Sequence, residues 1–199
     1  QLQTTEARLQ LRHADIIGAP AGRQVVGIVQ RRAGGGELGR VLRRMVLAGT
    51  GPRGGGGIEQ VTKVALLAYL KAALTWSDAR NFLFFPRTPT SKRAARDYFA
   101  ALKARTKNRD KAISLQARQA QLKAIRTAGL SAPDDLSVIT HPVLIANGDH
   151  DLMVDSRHSL DMARRLPNAR LILYPASGHG GVFQYYRDFV PEVLEFLAD

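Results

Sequence analysis

The sequence predicts an α/β fold with a parallel sheet, because strand and helix patterns alternate in its C-terminal part. The segments 143–147 and 170–174 are mostly apolar and have the composition of buried strands, and the segment 156–166 between them is amphipathic with a helical period. A further helical pattern follows at 183–197. Short connections between such elements predict parallel strands, since the intervening helix supplies the crossover that a parallel pair needs.

A third strand is predicted at 43–50, where the sequence reads RRMVLAGT. It stops in a glycine-rich loop at 51–57. This loop lacks the Gly-Lys-Ser/Thr ending of a phosphate-binding loop and the glycine spacing of a dinucleotide-binding turn. We therefore interpret it as a flexible connection.

The segment between this strand and the one at 143–147 is predicted to be a mostly helical insert. Helical patterns cover 58–74, 91–104 and 112–128. In the helical pattern at 58–74, five apolar residues can lie on one face of the helix: Val61, Val64, Ala65, Ala68 and Ala72. We expect Trp76 and the aromatic run 82–85 to pack the insert onto the sheet. A connection this long needs a structure of its own, so the insert is predicted to be a helical cap or lid.

The N-terminal tract is the least regular part of the sequence. A short apolar strand at 14–18 is followed by the residues APAG, so Pro20 stands where a G-x-S-x-G strand-to-helix turn would carry its serine. The tract 23–40 fits neither a helical nor a strand period. The sheet is therefore predicted to be N-terminally incomplete. The predicted parts are a remnant of the core sheet at 1–57, the helical cap at 58–130 and the C-terminal part of the core at 131–199.

Composition restricts the class of protein. The 199 residues, 45% hydrophobic and 23% charged, are typical of one globular domain with a substantial core. No apolar run approaches the roughly 18 residues of a membrane span, and the first residues do not resemble a signal peptide, so a soluble cytoplasmic protein without a membrane partner is predicted. The absence of cysteine excludes disulfides, a thiolate nucleophile and cysteine-ligated metal.

The formal charge of +12 is unevenly distributed. From 87 to 126 there are 12 Lys and Arg against 2 Asp, whereas from 141 to 199 there are 5 basic residues against 8 acidic ones. The pattern contains no zinc-finger spacing, RNP-like aromatic run or helix-turn-helix, which argues against a nucleic-acid partner. Two interpretations of the basic insert remain. Its cations lie on solvated helix faces, or they attract anionic substrates or nucleic-acid phosphates.

Polar residues at the ends of two predicted strands form a candidate site. Asp149 and Asp151 follow the strand at 143–147, and His179 lies in a glycine-flanked turn just after the strand at 170–174. Ligands of parallel sheets bind beyond the carboxyl ends of the strands. A carboxylate that accepts from one ring nitrogen holds a histidine ready to take a proton at the other. In the alternative interpretation the aspartates cap the turn before the helix at 156–166, and His179 is an ordinary loop residue.

Three runs of this sequence, NGDHDLMV, LPNARLILYP and SGHGGVFQY, resemble the C-terminal half of the α/β-hydrolase family. They are most similar to its small cofactor-free esterase, lactonase and haloperoxidase-like members, and the resemblance covers roughly 43–199. It implies that Asp151 is the acid of a catalytic triad and His179 its general base, with Asp149 as the second choice of acid. It also implies a small-molecule acyl substrate, such as an ester or lactone, and neither a metal nor an organic cofactor.

The sequence departs from the family at the nucleophile, because the serine is expected at the elbow position that Pro20 occupies. Ser156, Ser159 and Ser177 are not predicted to replace it, since none follows a strand-to-helix elbow. Removing the serine from a triad lowers turnover by about six orders of magnitude. The chain as written is therefore not expected to hydrolyse esters through a serine of its own.

Three explanations of this departure stay open at the level of sequence. The chain is a fragment or a damaged product, for instance of a shifted reading frame; it is a non-catalytic relative that serves as a binding module with a basic lid; or it is one half of a split enzyme. An open sheet edge at the incomplete side predicts association there with a second copy or a complementing chain.

Overall fold

The computed structural model of the chain describes residues 14–16, 27–33, 40–107 and 114–198. One sheet holds five strands in the order in which they occur along the chain. The strands are β1 (Ala14–Ile16), β2 (Gly27–Ala33), β3 (Arg40–Ala48), β4 (Val143–Gly148) and β5 (Ala169–Tyr174). The last three strands are parallel, which confirms the α/β class, whereas the pairs β1–β2 and β2–β3 are antiparallel.

Helices connect the strands at the places where the sequence predicts them. Four lie between β3 and β4: α1 (Val61–Leu74), α2 (Arg80–Phe84), α3 (Pro89–Ala104) and α4 (Leu115–Gly129). Helix α5 (Ser156–Arg165) joins β4 to β5, and α6 (Gly181–Gln184) and α7 (Tyr186–Ala198) follow β5. Helix α2 adds to the predicted helices, since five residues are too few to show a helical period. Within the described ranges, no helix has the length and apolarity needed to cross a membrane.

Strand β4 is the centre of the core, and all its residues are buried. Its side chains alternate between the two faces of the sheet. On one face Ile145 packs in a cluster with Met162 of α5. On the other face Leu144 packs with Val193 and Phe196 of α7. Because helices cover both faces, residues 143–146 of the strand are all apolar, and this is the pattern that made it recognisable in the sequence.

The predicted inner face of α1 is confirmed. Val61, Ala65, Ala68 and Ala72 are buried, and Val64 is half-buried. The small alanines at 68 and 72 belong to the same apolar cluster as a leucine of α2, so α1 and α2 pack closely. The expectation for the tryptophan that follows α1 is wrong.

Trp76 does not pack the insert onto the sheet, because its residue surface is 97% exposed. It also has a left-handed backbone conformation, with φ of 49°. It lies in the turn between α1 and α2.

The N-terminal strands differ from the expectation in two ways. The tract 23–40 contains a strand, β2, and a register shift between Gln30 and Arg31 explains the missing period of two. The predicted strand at 14–18 is present as β1, which has the same direction as β3 but is separated from it by β2. Pro20, the expected elbow position, lies outside the described residues. Strand β3 pairs with β2 on one side and with β4 on the other, and association at an open sheet edge on the incomplete side stays a prediction.

Tyr174 at the end of β5 carries a buried polar group without a partner. Its residue surface is 6% exposed, and its ring stacks on that of Tyr185 at a centroid distance of 4.9 Å. In the part of the chain that the structure describes, the Tyr174 hydroxyl has no hydrogen-bond partner. Burial, together with the negative charges of Glu192 and Asp188, raises the pKa of this hydroxyl from 10.0 to about 12.

We expect Tyr174→Phe to raise the free energy of unfolding by roughly 1 kcal/mol at neutral pH, because it removes an unpaired buried group and keeps the ring stack. The pKa of the Tyr174 hydroxyl is higher in the folded chain than in the unfolded chain. Its contribution to the free energy of unfolding is therefore present below pH 10.0 and is lost as the pH rises toward about 12. The variant should therefore lose less stability than the wild type over this interval. Urea denaturation at several pH values measures both effects.

Tyr185→Phe is the matched control, because its hydroxyl donates to the Pro175 carbonyl oxygen over 2.9 Å. We expect this variant to be less stable than the wild type by about 1 kcal/mol. A Tyr174→Phe protein that loses as much stability as Tyr185→Phe would contradict the assignment of an unpaired hydroxyl.

Candidate active site

The structure brings Asp151 and His179 together. Asp151 lies in the loop after β4, and His179 lies in the loop after β5. These strands are parallel neighbours, so the loops that follow them meet at one edge of the sheet. His179 Nδ1 lies 2.8 Å from Asp151 Oδ2. The Asp151 side chain is fully buried, whereas that of His179 keeps 23% of its surface exposed.

The other carboxylate oxygen of Asp151 is bound by its own loop. Asp151 Oδ1 accepts from the backbone N–H groups of Met153 and Val154, over 2.8 and 3.0 Å. A carboxylate only accepts hydrogen bonds, so this contact needs a proton on His179 Nδ1, and a neutral ring then has its lone pair on Nε2. This arrangement allows His179 to take up a proton at Nε2 while the carboxylate stabilises the resulting charge.

Asp149 has other partners. Its Oδ1 lies 2.5 Å from His150 Nδ1 and accepts from the backbone N–H of Ser177 over 3.2 Å. Burial raises the pKa of the Asp149 carboxyl, but hydrogen bonds from His150 and from the backbone at Ser177 and Ala176 lower it by more, so the net pKa lies below the ordinary value. Asp149 therefore ties the two loops together, and Asp151 is the acid that contacts His179.

Two glycines allow the strand ends to approach the histidine loop. Gly49, directly after β3, has φ of +58°, and a Cβ at this position would lie 3.2 Å from His179 Cε1. Gly148 ends β4, and a Cβ there would lie 2.3 Å from the carbonyl oxygens of Ser177 and Gly178. A side chain at either position would displace the loop that carries His179.

The helical insert forms part of the surroundings of His179. The backbone N–H groups of His179 and Gly180 donate to the carbonyl oxygens of Leu83 and Phe84 in α2, over 3.3 and 3.2 Å. The Phe84 ring lies 5.7 Å from the imidazole, between ring centroids, and stacks on Phe183 at 5.8 Å. Sequence reasoning favoured a packing role for the run 82–85 and did not predict its contact with the histidine.

A cavity of about 410 Å³ opens beside His179. This volume is within the range of small-molecule sites, about 300–1,000 Å³. Its polar lining includes Thr50, Arg53, Gln121 and Asp134, of which Arg53 and Asp134 form an ion pair over 3.6 Å. The apolar lining comes from β3, α4, α5 and the turn before α1: Met45, Leu47, Ile58, Val61, Ile125, Met162 and Leu166 among others.

The three serines that the sequence excluded as nucleophiles are hydrogen-bonded elsewhere. Ser156 Oγ donates to the Gly148 carbonyl over 2.6 Å, and Ser177 Oγ donates to the Tyr174 carbonyl over 2.8 Å. Ser159 Oγ accepts from an Asn147 side chain over 3.3 Å. Among the residues that the structure describes, no three His, Asp or Glu side chains form a group that could hold a metal ion.

The family model of the alpha/beta hydrolase fold matches residues 57–184, which is more than half of the chain. The match contains both the helical insert and the Asp151–His179 pair. The chain therefore belongs to the alpha/beta hydrolase family.

Individual relatives agree with this assignment. The pimeloyl-[acyl-carrier protein] methyl ester esterase of Nitrosomonas europaea is 35% identical over 72 residues, which are 36% of this chain and 28% of that protein. A solved alpha/beta hydrolase fold protein from Chitinophaga pinensis has a TM-score of 0.73 at 29% identity, over 81% of this chain and 57% of that one. The enol-lactonase of Burkholderia xenovorans has a TM-score of 0.56 at 21% identity, over 82% and 58%. This chain thus spans little more than half the length of the two solved relatives.

Gly49→Ala should lower the free energy of unfolding by about 1–3 kcal/mol, because alanine is strained at positive φ and its methyl group would press on the imidazole. The matched control is Gly56→Ala in the same glycine-rich connection, where a Cβ would meet nothing within 4 Å. We expect the control to change stability by less than about 0.5 kcal/mol. Thermal denaturation compares the two variants, and equal midpoints would contradict the close approach of Gly49 to His179.

Proposed function

We propose that this chain carries the acid and the base of a hydrolase that acts on an ester, a lactone or a similar acyl compound. The single observation that carries the proposal is the 2.8 Å hydrogen bond between His179 and a fully buried Asp151 at the carboxyl ends of β4 and β5. Membership of the alpha/beta hydrolase family supports the reaction class. The names of the Nitrosomonas esterase and the Burkholderia lactonase support ester and lactone substrates.

In the proposed mechanism His179 is the general base. Its Nε2 takes the proton of the attacking hydroxyl as the oxygen forms a bond to the acyl carbon. Asp151 keeps its negative charge, holds the imidazole through Nδ1–H and stabilises the imidazolium. The same Nε2 proton is then given to the leaving oxygen as the ester bond breaks, which restores neutral His179.

The nucleophile is the part of this mechanism for which no residue of the chain is assigned. Ser156, Ser159 and Ser177 point to other partners, and Pro20 has no hydroxyl. We propose that the hydroxyl comes from a complementing chain, or that water attacks directly at a much lower rate. A tract encoded in a shifted reading frame is the third explanation, and translation of the underlying DNA in all three frames tests it. It is rejected if no frame encodes a G-x-S-x-G-like turn near Gly18.

We propose that the cavity of about 410 Å³ receives the acyl group and that the helical insert is its cap. The cavity lies beside His179 and is lined by apolar side chains from β3 on one side and from α4 on the other. An acyl chain buried there gains apolar contacts, and its carbonyl carbon lies next to the base. This supports a small acyl substrate.

A second candidate function is a binding module that recognises anions through the insert. A cleft of about 460 Å³ is lined by Lys71, Arg87, Lys92 and His150 and by no acidic residue. Among the described residues, the three Lys and Arg side chains form no ion pair, and Arg87 lies over the ring of Phe82. Unpaired cations around one cleft favour binding of a phosphate or carboxylate group.

Hydrolysis of a short p-nitrophenyl ester tests the first function. We expect slow turnover above the buffer rate, reduced about 100-fold or more in His179→Ala because the general base is lost. Asp151→Asn should also be impaired, since the ring loses its orienting carboxylate. The matched control is His150→Ala, which removes an exposed histidine that lies between Asp149 and Asp151 in sequence and outside the cavity. Activity that is indifferent to His179→Ala would count against the proposal.

Titration of a fluorescent DNA duplex tests the second function. If the basic cleft binds phosphates, the affinity should fall steeply as the salt concentration rises. The triple change of Lys71, Arg87 and Lys92 to glutamine should make the plot of log affinity against log salt less steep, by the equivalent of up to three phosphate contacts. The triple change of Arg118, Lys123 and Arg126 to glutamine in α4 is a control of equal charge. Binding that is absent, or equally weakened by the control, would remove nucleic acid as the ligand of this cleft.

A further inference from the structure

A buried serine of the insert is bonded to the segment that carries His179. Ser91 lies in the first turn of α3 and has no exposed surface. Its Oγ lies 2.6 Å from the carbonyl oxygen of Ala176 and 2.8 Å from Gln184 Oε1. Gln184 Nε2 donates to the same Ala176 carbonyl over 3.2 Å. Ser91, Ala176 and Gln184 thus form a triangle of polar contacts, in which the single hydroxyl proton of Ser91 donates to the nearer oxygen, that of Ala176.

The residue held by this triangle has an unusual backbone conformation. Ala176 has φ of 48°, in the left-handed region that non-glycine residues rarely adopt. Such a conformation persists only where the surroundings determine it. The donors from Ser91 and Gln184 to the Ala176 carbonyl supply that determination. Since Ala176 precedes His179 by three residues, its peptide sets the direction in which the chain enters the loop.

The same loop meets the insert at its far end. Gly180 N–H donates to Phe84, and a Cβ at Gly180 would lie only 2.6 Å from the Phe84 Cβ. The loop from Ala176 to Gly180 is therefore held at both ends by the insert, by α3 at the first residue and by α2 at the last. The backbone that carries the imidazole is thus fixed on both sides of His179.

We propose that Ser91 is a positioning residue for His179, whose buried hydroxyl, with Gln184, fixes the Ala176 peptide and so keeps the imidazole on Asp151. The role rests on the proposed function, because it matters for chemistry only if His179 is the base. Ser91 itself is fully buried and its hydroxyl proton is used in the triangle, so it does not touch substrate. The insert then contributes to the acid–base pair as well as covering the cavity.

The test observes the His179 ring directly in the whole chain, by nuclear magnetic resonance with labelled ring nitrogens and with His179→Ala for assignment. In the wild type we expect a protonated Nδ1 well separated in shift from an unprotonated Nε2. In Ser91→Ala we expect the Nδ1–H signal to be lost and the two nitrogen shifts to converge. Amide exchange at His179 and Gly180 should become about tenfold faster or more.

Ser114→Ala is the matched control. It is the same substitution in the same insert, and it removes the N-cap of α4, where Ser114 Oγ accepts from the Ala117 N–H over 3.1 Å. A general weakening of the insert would move the His179 signals in both variants. Loss of a specific positioning contact moves them in Ser91→Ala only.

Gln184→Met is the second variant and gives an answer even if Ser91→Ala does not fold. It removes the other polar member of the triangle, and we expect the same convergence of the ring shifts. Wild-type protein without a protonated Nδ1 would overturn the assignment of His179 as base and the positioning role with it. A wild-type signature that survives in Ser91→Ala and Gln184→Met, or that changes equally in Ser114→Ala, would overturn the positioning role alone.

Discussion

A carboxylate removed from water needs hydrogen-bond donors, and Asp151 is the residue to which this constraint applies. Its side chain is fully buried, and its two oxygens are met by the Met153 and Val154 N–H groups and by the His179 ring. The loop after β4 therefore folds around the carboxylate, and the loop after β5 brings an imidazole to it. The parallel pairing of β4 and β5 makes this meeting possible, because both strands end at the same edge of the sheet.

The surroundings of the pair join the sheet and the helical insert. Gly49 lets the end of β3 approach the imidazole, and Gly148 lets the loop after β5 lie against the end of β4. From the insert, α2 accepts two backbone hydrogen bonds from the histidine loop, and Ser91 is bonded to its first residue. The helical insert and the edge of the sheet at which β4 and β5 end thus share polar contacts, which couples the packing of the insert to the position of the His179 loop.

A structural element could be predicted from the sequence where its pattern lies within one continuous stretch of residues. Strand β4 and helix α5 were evident because continuous apolar sequence and helical periodicity directly reflect which faces are buried. Strand β2 was missed because its sequence does not alternate between apolar and polar residues, and its pairing with β3 shifts register between Gln30 and Arg31. The contact of Phe84 with His179 was missed because 95 residues separate them in sequence, and aromatic residues before a proline have the same composition in a core as beside a site.

The sequence by itself determined the α/β class, the helical insert and the two short segments that contain the acid and the histidine, because each follows from local pattern and from where parallel strands end. The sequence preferred Asp151 to Asp149 only through the family resemblance, and only the tertiary structure shows which of the two contacts His179. Both residues follow β4 and lie two positions apart. The conformation of the loop after β4 places the Asp149 carboxylate beside His150 and the Ser177 N–H, and the Asp151 carboxylate beside His179. The bond of Ser91 to Ala176 was also decided there, since it depends on how the insert returns to the sheet across 85 residues of sequence.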